Sequence, residues 1–112
     1  MTTENDIPLE VTCRSVKEKL DTGEAFLLLD CREADEYAVA RIEGARLLPM
    51  SELQNRFTEL DPNTQYYLHC KVGSRSLSAV DFLREQGFKY VKSVKGGINA
   101  WSDEIDRNVP RY

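Results

Sequence analysis

The stretch Tyr66-Tyr67-Leu68-His69-Cys70-Lys71-Val72-Gly73-Ser74-Arg75-Ser76 carries the most structural information in the chain. Its first four residues form a short apolar run that reads as a strand. The residues that follow it, Leu77-Ser78-Ala79-Val80-Asp81-Phe82-Leu83-Arg84-Glu85-Gln86, read as a helix ended by Gly87. The order strand, tight polar loop, helix places Cys70 at the carboxyl end of a strand and beside a helix N-terminus. The first N–H groups of a helix lack intrahelical partners, and the helix dipole adds partial positive charge there. A thiol with an ordinary pKa of roughly 8.5 is easily shifted downward in such a place. Lys71 and Arg75 add two cations to the same loop.

Outward from this loop, strands and helices alternate. Glu10-Val11 reads as a first strand. Thr12 is then an N-cap for a helix with Cys13, Val16 and Leu20 on one face, stopped near Gly23. Phe26-Leu27-Leu28-Leu29-Asp30 is a continuous apolar run suited to a strand buried on both faces. Glu33 to Val39 predicts a short helix through Ala34, Tyr37 and Ala38. Ala45-Arg46-Leu47-Leu48 predicts a third strand before Pro49. Ser51 reads as the cap of a helix whose face holds Leu53, Phe57 and Leu60, and Asp61-Pro62-Asn63 as a turn. Tyr90 to Val94 alternates like a strand. Gly96-Gly97 turns the chain, and Ile98 to Ile105 closes it with a helix. This alternation predicts an α/β fold with a largely parallel sheet flanked by helices. Ligands of such sheets sit beyond the carboxyl ends of strands, where Cys70 lies.

The composition supports one folded domain, residues 1–112, with an ordered core at about 9–105. Of 112 residues, 41% are hydrophobic and 30% charged, an ordinary globular balance long enough for a real core. The net charge of −4 and the lack of a basic stripe argue against a nucleic-acid partner. The positive charge of the loop is local, which fits a small anion better than a polyanion. No run reaches the apolar length of a membrane helix. The polar, acidic start has neither the basic nor the apolar region of a signal peptide, so the expected location is cytoplasmic. Cys13, Cys31 and Cys70 are odd in number and widely spaced, with one histidine in the chain. That pattern fits free thiols in a reducing compartment and offers no metal-ligand spacing.

Cys-x-x-Gly-x-Arg-Ser after a strand resembles the active-site loop of the rhodanese-like sulfurtransferases. Three other segments strengthen the resemblance. Leu28-Leu29-Asp30-Cys31-Arg32-Glu33 followed by Glu36-Tyr37 is similar to the early Asp-x-Arg signature of that family, and Arg41-Ile42-Glu43-Gly44-Ala45 to the segment after it. Val94-Lys95-Gly96-Gly97-Ile98-Asn99-Ala100-Trp101 is similar to its closing Gly-Gly-to-Trp signature. The loop type is similar to that of rhodanese domains attached to adenylyltransferases of molybdopterin and thiamine biosynthesis. The chain departs from the common pattern at Ala40-Arg41-Ile42, where Gly-His-Ile is frequent, and at Cys31, where an aliphatic residue is common.

The resemblance implies a rhodanese-like fold with a central five-stranded, mostly parallel sheet and helices on both faces. It implies that Cys70 accepts a sulfane sulfur as a persulfide and passes it to a thiol or cyanide. The backbone N–H groups of Lys71, Val72, Gly73, Ser74, Arg75 and Ser76 would wrap the outer sulfur. No metal and no organic cofactor are implied. The expected partners are a small anionic donor such as thiosulfate and a thiophilic acceptor. A cysteine desulfurase or a sulfur-acceptor protein is a candidate partner.

The residues fit that chemistry. The nucleophile has to be a thiolate, which calls for a partly exposed Cys70 in positive potential. Successive N–H groups of a curled loop form an anion nest, and Gly73 lets the backbone curl. Arg75 offers a planar fork to an oxyanion, and Lys71 a mobile charge near the mouth. Cys13 reads as core. Cys31 reads first as a small buried hydrophobe and second as a thiol that resolves a persulfide or sulfenic acid. His69 reads as structural, because adjacent strand residues face opposite ways. Asp30, Arg32 and Glu36 read as an ion-pair and capping network, Trp101 as a brace of the core, and Lys89, Lys92 and Lys95 as a solvated face. Two rival functions remain at this point. One is a cysteine phosphatase or arsenate reductase, whose loop is Cys-x5-Arg where this chain has Cys-x4-Arg. The other is a persulfide relay or binding module serving one partner protein.

Overall fold

The computed structural model describes residues 8–112. The expectation of a frayed start falls mostly on residues 1–7, outside the described residues. Five strands form one sheet in the order β1-β5-β4-β2-β3: β1 Glu10–Val11, β2 Leu27–Asp30, β3 Arg46–Leu47, β4 Tyr66–His69 and β5 Val91–Val94. Every pairing is parallel, so the largely parallel expectation becomes a wholly parallel sheet. Five helices connect and follow the strands: α1 Cys13–Asp21, α2 Ala34–Val39, α3 Met50–Arg56, α4 Ser74–Glu85 and α5 Gly97–Glu104.

The continuous apolar runs of β2 and β4 are explained by burial on two faces. Leu28 and Tyr67 belong to a core shared with Cys13 and Val16 of α1 and Ile98 and Trp101 of α5. Leu29, Tyr66 and Leu68 belong to a second core with Leu53 of α3 and Ala79, Val80 and Leu83 of α4. Alternate residues of one strand thus feed opposite cores, as the period of two requires. Trp101 is buried in the first core, in keeping with a bracing role.

Local signals set most element ends. Thr12 caps α1 by accepting the Ser15 N–H at 3.1 Å. Ser51 does not cap α3, which starts at Met50 after Pro49. Its hydroxyl instead donates to Glu33 Oε1 at 2.7 Å, and its N–H reaches Glu33 Oε2 at 3.3 Å. The Glu33 carboxylate, from the start of α2, therefore takes the capping role expected of the serine. α3 itself ends at Arg56, and Phe57–Glu59 continue as a 3-10 turn. α4 begins at Ser74, three residues before the expected Leu77, because Gly73 turns the chain at φ 108° and acts as its N-cap. Ser74, Arg75 and Ser76 are therefore the first turn of a helix rather than a loop.

Candidate active site

Cys70 follows β4 directly, and its Sγ lies where the α4 N-terminus begins. The Gly73 N–H donates to Sγ at 3.1 Å and the Ser76 N–H at 3.4 Å. The Ser76 hydroxyl lies 3.5 Å from the same sulfur, 3.2 Å from the Gly73 carbonyl and 2.6 Å from Ser93 Oγ. Ser93, buried on β5, is a site residue that sequence reading missed. It can donate to Ser76 Oγ, so that the single Ser76 hydrogen is divided between the Gly73 carbonyl and the sulfur. The thiol pKa is lowered to about 4, first by a hydrogen bond from the Cys31 thiol, then by Ser76 and Gly73, all against the opposing effect of burial. These donors favour the thiolate form of Cys70.

The curl of the loop has a second support. The Ile98 N–H donates to the Cys70 carbonyl at 2.8 Å, and the Asn99 N–H to the Lys71 carbonyl at 3.1 Å. The N-terminus of α5 thus draws two carbonyls outward while the amides of Gly73 and Ser76 turn inward. Gly97 is what allows this approach. A Cβ there would collide with the carbonyls of Cys70 and Lys71, and its φ of 60° disfavours any side chain. The Gly-Gly segment is as much a part of the site as the loop.

Two expectations about the loop are corrected. Cys70 is fully buried, at 0% exposure, not partly exposed. The Gly73 and Ser76 amides, the Ser76 hydroxyl and the Cys31 thiol lie around its sulfur. Arg75 does not present a free fork to a donor. Its guanidinium grips the Glu36 carboxylate of α2 at 2.7 and 3.0 Å. That pair lowers the Glu36 pKa to about 2, with the Arg75 hydrogen bond as the first cause. Charge stays at the mouth, but in a paired, fixed form. Lys71 lies with Nζ 4.6 Å from the centre of the Tyr112 ring, Val72 is 57% exposed, and Ser74 is exposed. Of the residues expected to wrap the sulfur, the N–H groups of Gly73 and Ser76 are the ones aimed at it.

Behind the site, Asp30 and Arg32 form a fully buried pair. Arg32 Nε donates to Oδ1 at 2.9 Å and Nη2 to Oδ2 at 2.6 Å. Arg32 Nη2 also reaches the Ala40 carbonyl at 2.6 Å, and Nη1 the Tyr112 hydroxyl at 2.8 Å. The expected network exists, yet Glu36 joins it through Arg75 and Tyr112 rather than by pairing with Arg32. Tyr112 donates to Glu36 Oε2 at 2.8 Å, so the last residue, beyond the ordered core expected at about 9–105, is tied to the site. His69 points the other way from Cys70: its Nε2 lies 3.6 Å from Asp30 Oδ2 and its pKa is lowered, chiefly by burial. Cys13 sits in the first core with its thiol pushed up to about 11 by burial. All three cysteines are free. Among the described residues no cluster of three or more His, Cys, Asp or Glu could hold a metal, and no helix is long and apolar enough to cross a membrane.

Comparison with known proteins names the class in which this sheet order and a cysteine cradled at the end of β4 occur. The model of the rhodanese-like domain matches residues 12–104. The chain belongs to the rhodanese-like domain family. It is 34% identical over 109 residues to an adenylyltransferase and sulfurtransferase, MOCS3-2, of Zea mays, covering 91% of this chain and 23% of that protein. It thus spans about a quarter of that relative. It is 36% identical to YtwF of Bacillus subtilis, whose name describes a candidate sulfurtransferase, covering 85% of this chain and 91% of the relative. A rhodanese-like domain protein of Staphylococcus aureus has the same fold, with a TM-score of 0.79, 31% identity and coverage of 86% and 93% of the two chains.

Proposed function

We propose that this chain is a sulfurtransferase in which the Cys70 thiolate carries sulfane sulfur as a persulfide. With thiosulfate as donor, the Cys70 thiolate attacks the outer sulfur. The S–S bond to the sulfonate breaks and sulfite leaves, giving Cys70–S–S⁻. Cyanide or a thiolate then takes the outer sulfur and restores the Cys70 thiolate. The observation that carries this reading is the convergence of the Gly73 and Ser76 N–H groups on Sγ. Donors fixed around a sulfur stabilise negative charge there without reorganisation, both on the thiolate and on the persulfide that replaces it. The sulfurtransferase names of relatives support the same class of chemistry. Three free thiols suit a reducing compartment such as the cytoplasm.

Mass spectrometry before and after thiosulfate tests the reading. The expected result is one added sulfur on the peptide that holds Cys70, lost in Cys70→Ser along with thiocyanate formation. Turnover that survives in Cys70→Ser, or robust Cys70-dependent hydrolysis of an aryl phosphate, would overturn it.

The engagement of Arg75 by Glu36 favours a second reading within the same chemistry. A site whose guanidinium is already paired offers less to the sulfonate of thiosulfate than to a protein persulfide, which brings no oxyanion. The domain would then act as a relay between a cysteine desulfurase and a sulfur-acceptor protein. Faster persulfide uptake from a desulfurase than from millimolar thiosulfate supports the relay, and the reverse order supports the free enzyme.

A further inference from the structure

The strand register brings a second thiol to the nucleophile. β2 and β4 are parallel neighbours with Asp30 opposite His69, so residues 31 and 70 leave the sheet side by side. Asp30 and His69 approach each other on one face. Cys31 and Cys70 are the next pair along and fall on the other face, with Leu29 and Leu68. The Cys31 N–H donates to the His69 carbonyl at 3.0 Å, and its thiol lies 3.2 Å from the same oxygen. Neighbouring strands run about 4.7–4.9 Å apart, within the Cα separation of about 4.4–6.8 Å that a disulfide accepts. Both side chains are buried, at 1% and 0% exposure. Cys13 belongs to the core on the opposite face of the sheet and takes no part.

We propose that Cys31 is a resolving thiol that discharges the Cys70 persulfide as sulfide, closing a Cys31–Cys70 disulfide. This rests on the sulfur-carrying role of Cys70 set out above. In the step, Cys31 sulfur bonds to Cys70 Sγ and the bond from Sγ to the outer sulfur breaks. The outer sulfur leaves with the electron pair and takes the Cys31 proton: Cys31–SH + Cys70–S–S⁻ gives Cys31–S–S–Cys70 + HS⁻. The outer sulfur is reduced, and the two cysteines are oxidised. A protein dithiol, or two equivalents of a low-molecular-weight thiol, then reopens the disulfide and is itself oxidised to a disulfide.

The site arranges this step in two respects. Gly73 and Ser76 reach Sγ from the α4 N-terminus, whereas Cys31 reaches it from β2. An outer sulfur held by the loop amides thus has neighbours on a different element from the attacking thiol, which exchanges by attack on the inner sulfur. The second respect is gating. While Cys70 is a thiolate, its hydrogen bond with Cys31, followed by burial, holds Cys31 protonated. Loading moves the charge from Sγ to the outer sulfur and so weakens the first of these causes, while burial still favours the thiol. The charge on Cys70 is thus what most disfavours ionisation of Cys31 in the empty site.

The test uses the full chain loaded with inorganic polysulfide, freed of excess donor and kept without added thiol. The wild type is expected to release one sulfide per loaded chain and to yield a disulfide linking the peptides of Cys31 and Cys70. In Cys31→Ser and Cys31→Ala the persulfide should persist, with sulfide release slower by at least on the order of 100-fold, which even a misplaced reacting group costs. Cys13→Ser should behave as the wild type. A wild-type persulfide that forms and then persists as long as in Cys31→Ser, with no linked peptides, overturns the resolving role and leaves the sulfur-carrying reading intact. Failure of both wild type and variants to take up sulfur overturns the two together. Detection of the linked peptides in the wild type needs no variant, so an unfolded Cys31→Ser does not decide the matter.

Discussion

The Ile98 N–H donates to the Cys70 carbonyl at 2.8 Å, which couples the start of α5 to the nucleophile's own peptide group. The bond explains why the Gly-Gly segment and the cysteine loop, separated by a whole helix and strand in sequence, form one site. A carbonyl held outward by α5 turns the following amides inward toward Sγ. The charge on the sulfur is then shared between two helix N-termini, one by direct donation and one through the orientation of the loop.

Gly97→Ala should therefore damage both stability and chemistry. The new Cβ meets the backbone carbonyls of Cys70 and Lys71, and neither is the flexible end of a side chain. Left-handed backbone costs about 1–2 kcal/mol for a residue with a Cβ, and forced repacking about 1–3 kcal/mol more. Urea denaturation should show a loss in that combined range, and the Cys70 pKa of the folded variant should rise. An unchanged midpoint would mean that the loop shifts at no cost.

The second prediction concerns pH. Cys70 has its pKa lowered from 9.0 to about 4. A group with a depressed folded pKa stabilises the fold most above its unfolded pKa and loses that contribution as pH falls through the folded value. The Cys70 contribution should thus be complete above about pH 9, decline below it, and be absent below about pH 4. Thiolate absorbance in the folded protein should stay flat from neutral pH to about pH 5 and disappear through about pH 4. Cys31→Ala should move that midpoint upward, since the Cys31 hydrogen bond is the first cause of the shift. A midpoint near 8–9 in the wild type would contradict the thiolate assignment.

The Arg75–Glu36 pair yields a third. Glu36 is lowered from 4.5 to about 2, so its contribution is complete above about pH 4.5 and lost as pH falls through about 2. The pair is partly exposed, with side chains 35% and 20% accessible, so solvent screening limits its worth. A double-mutant cycle of Arg75→Met and Glu36→Gln should give a coupling of about 1 kcal/mol. Glu36→Gln alone should also improve the apparent affinity for thiosulfate, because it frees the Arg75 fork. Unaltered affinity would show that Arg75 cannot reach the donor even when released.

How much of this was legible in the sequence differs between the scaffold and the mouth of the site. The strands of the centre could be read because Leu28-Leu29 and Tyr66-Tyr67-Leu68 are apolar at every position, and burial on both faces leaves no other use for such runs. Cys70 could be read because Gly73 and the following helix leave their mark within six residues. The partner of Arg75 could not. Glu36 lies 39 positions away, and an ion pair between separate helices leaves no periodicity. Tyr112 was unreadable for the same reason, since its hydrogen bonds to Arg32 and Glu36 span 80 and 76 positions. Ser51 misled because serine is the commonest helix cap, whereas here the Glu33 carboxylate takes its N–H. Cys31 drew two readings because it follows a buried strand whose neighbours the sequence does not name, and it is the pairing of Asp30 with His69 that sets it next to Cys70.

The buried Asp30–Arg32 pair gives the largest stability prediction. Both side chains are 0% accessible, and Arg32 also holds the Ala40 carbonyl and the Tyr112 hydroxyl. Arg32 therefore cannot lose its charge or move to water when its partner is removed. Asp30→Asn leaves the guanidinium without a counter-charge, and such a break costs about 3–5 kcal/mol. The same change takes away the carboxylate facing His69, whose Nε2 lies 3.6 Å from Asp30 Oδ2. Denaturation of Asp30→Asn should show a loss of that size at neutral pH. Arg32→Met should also lose stability, since it leaves the buried Asp30 carboxylate without its counter-charge. A loss below about 1 kcal/mol in Asp30→Asn would place the pair in contact with water.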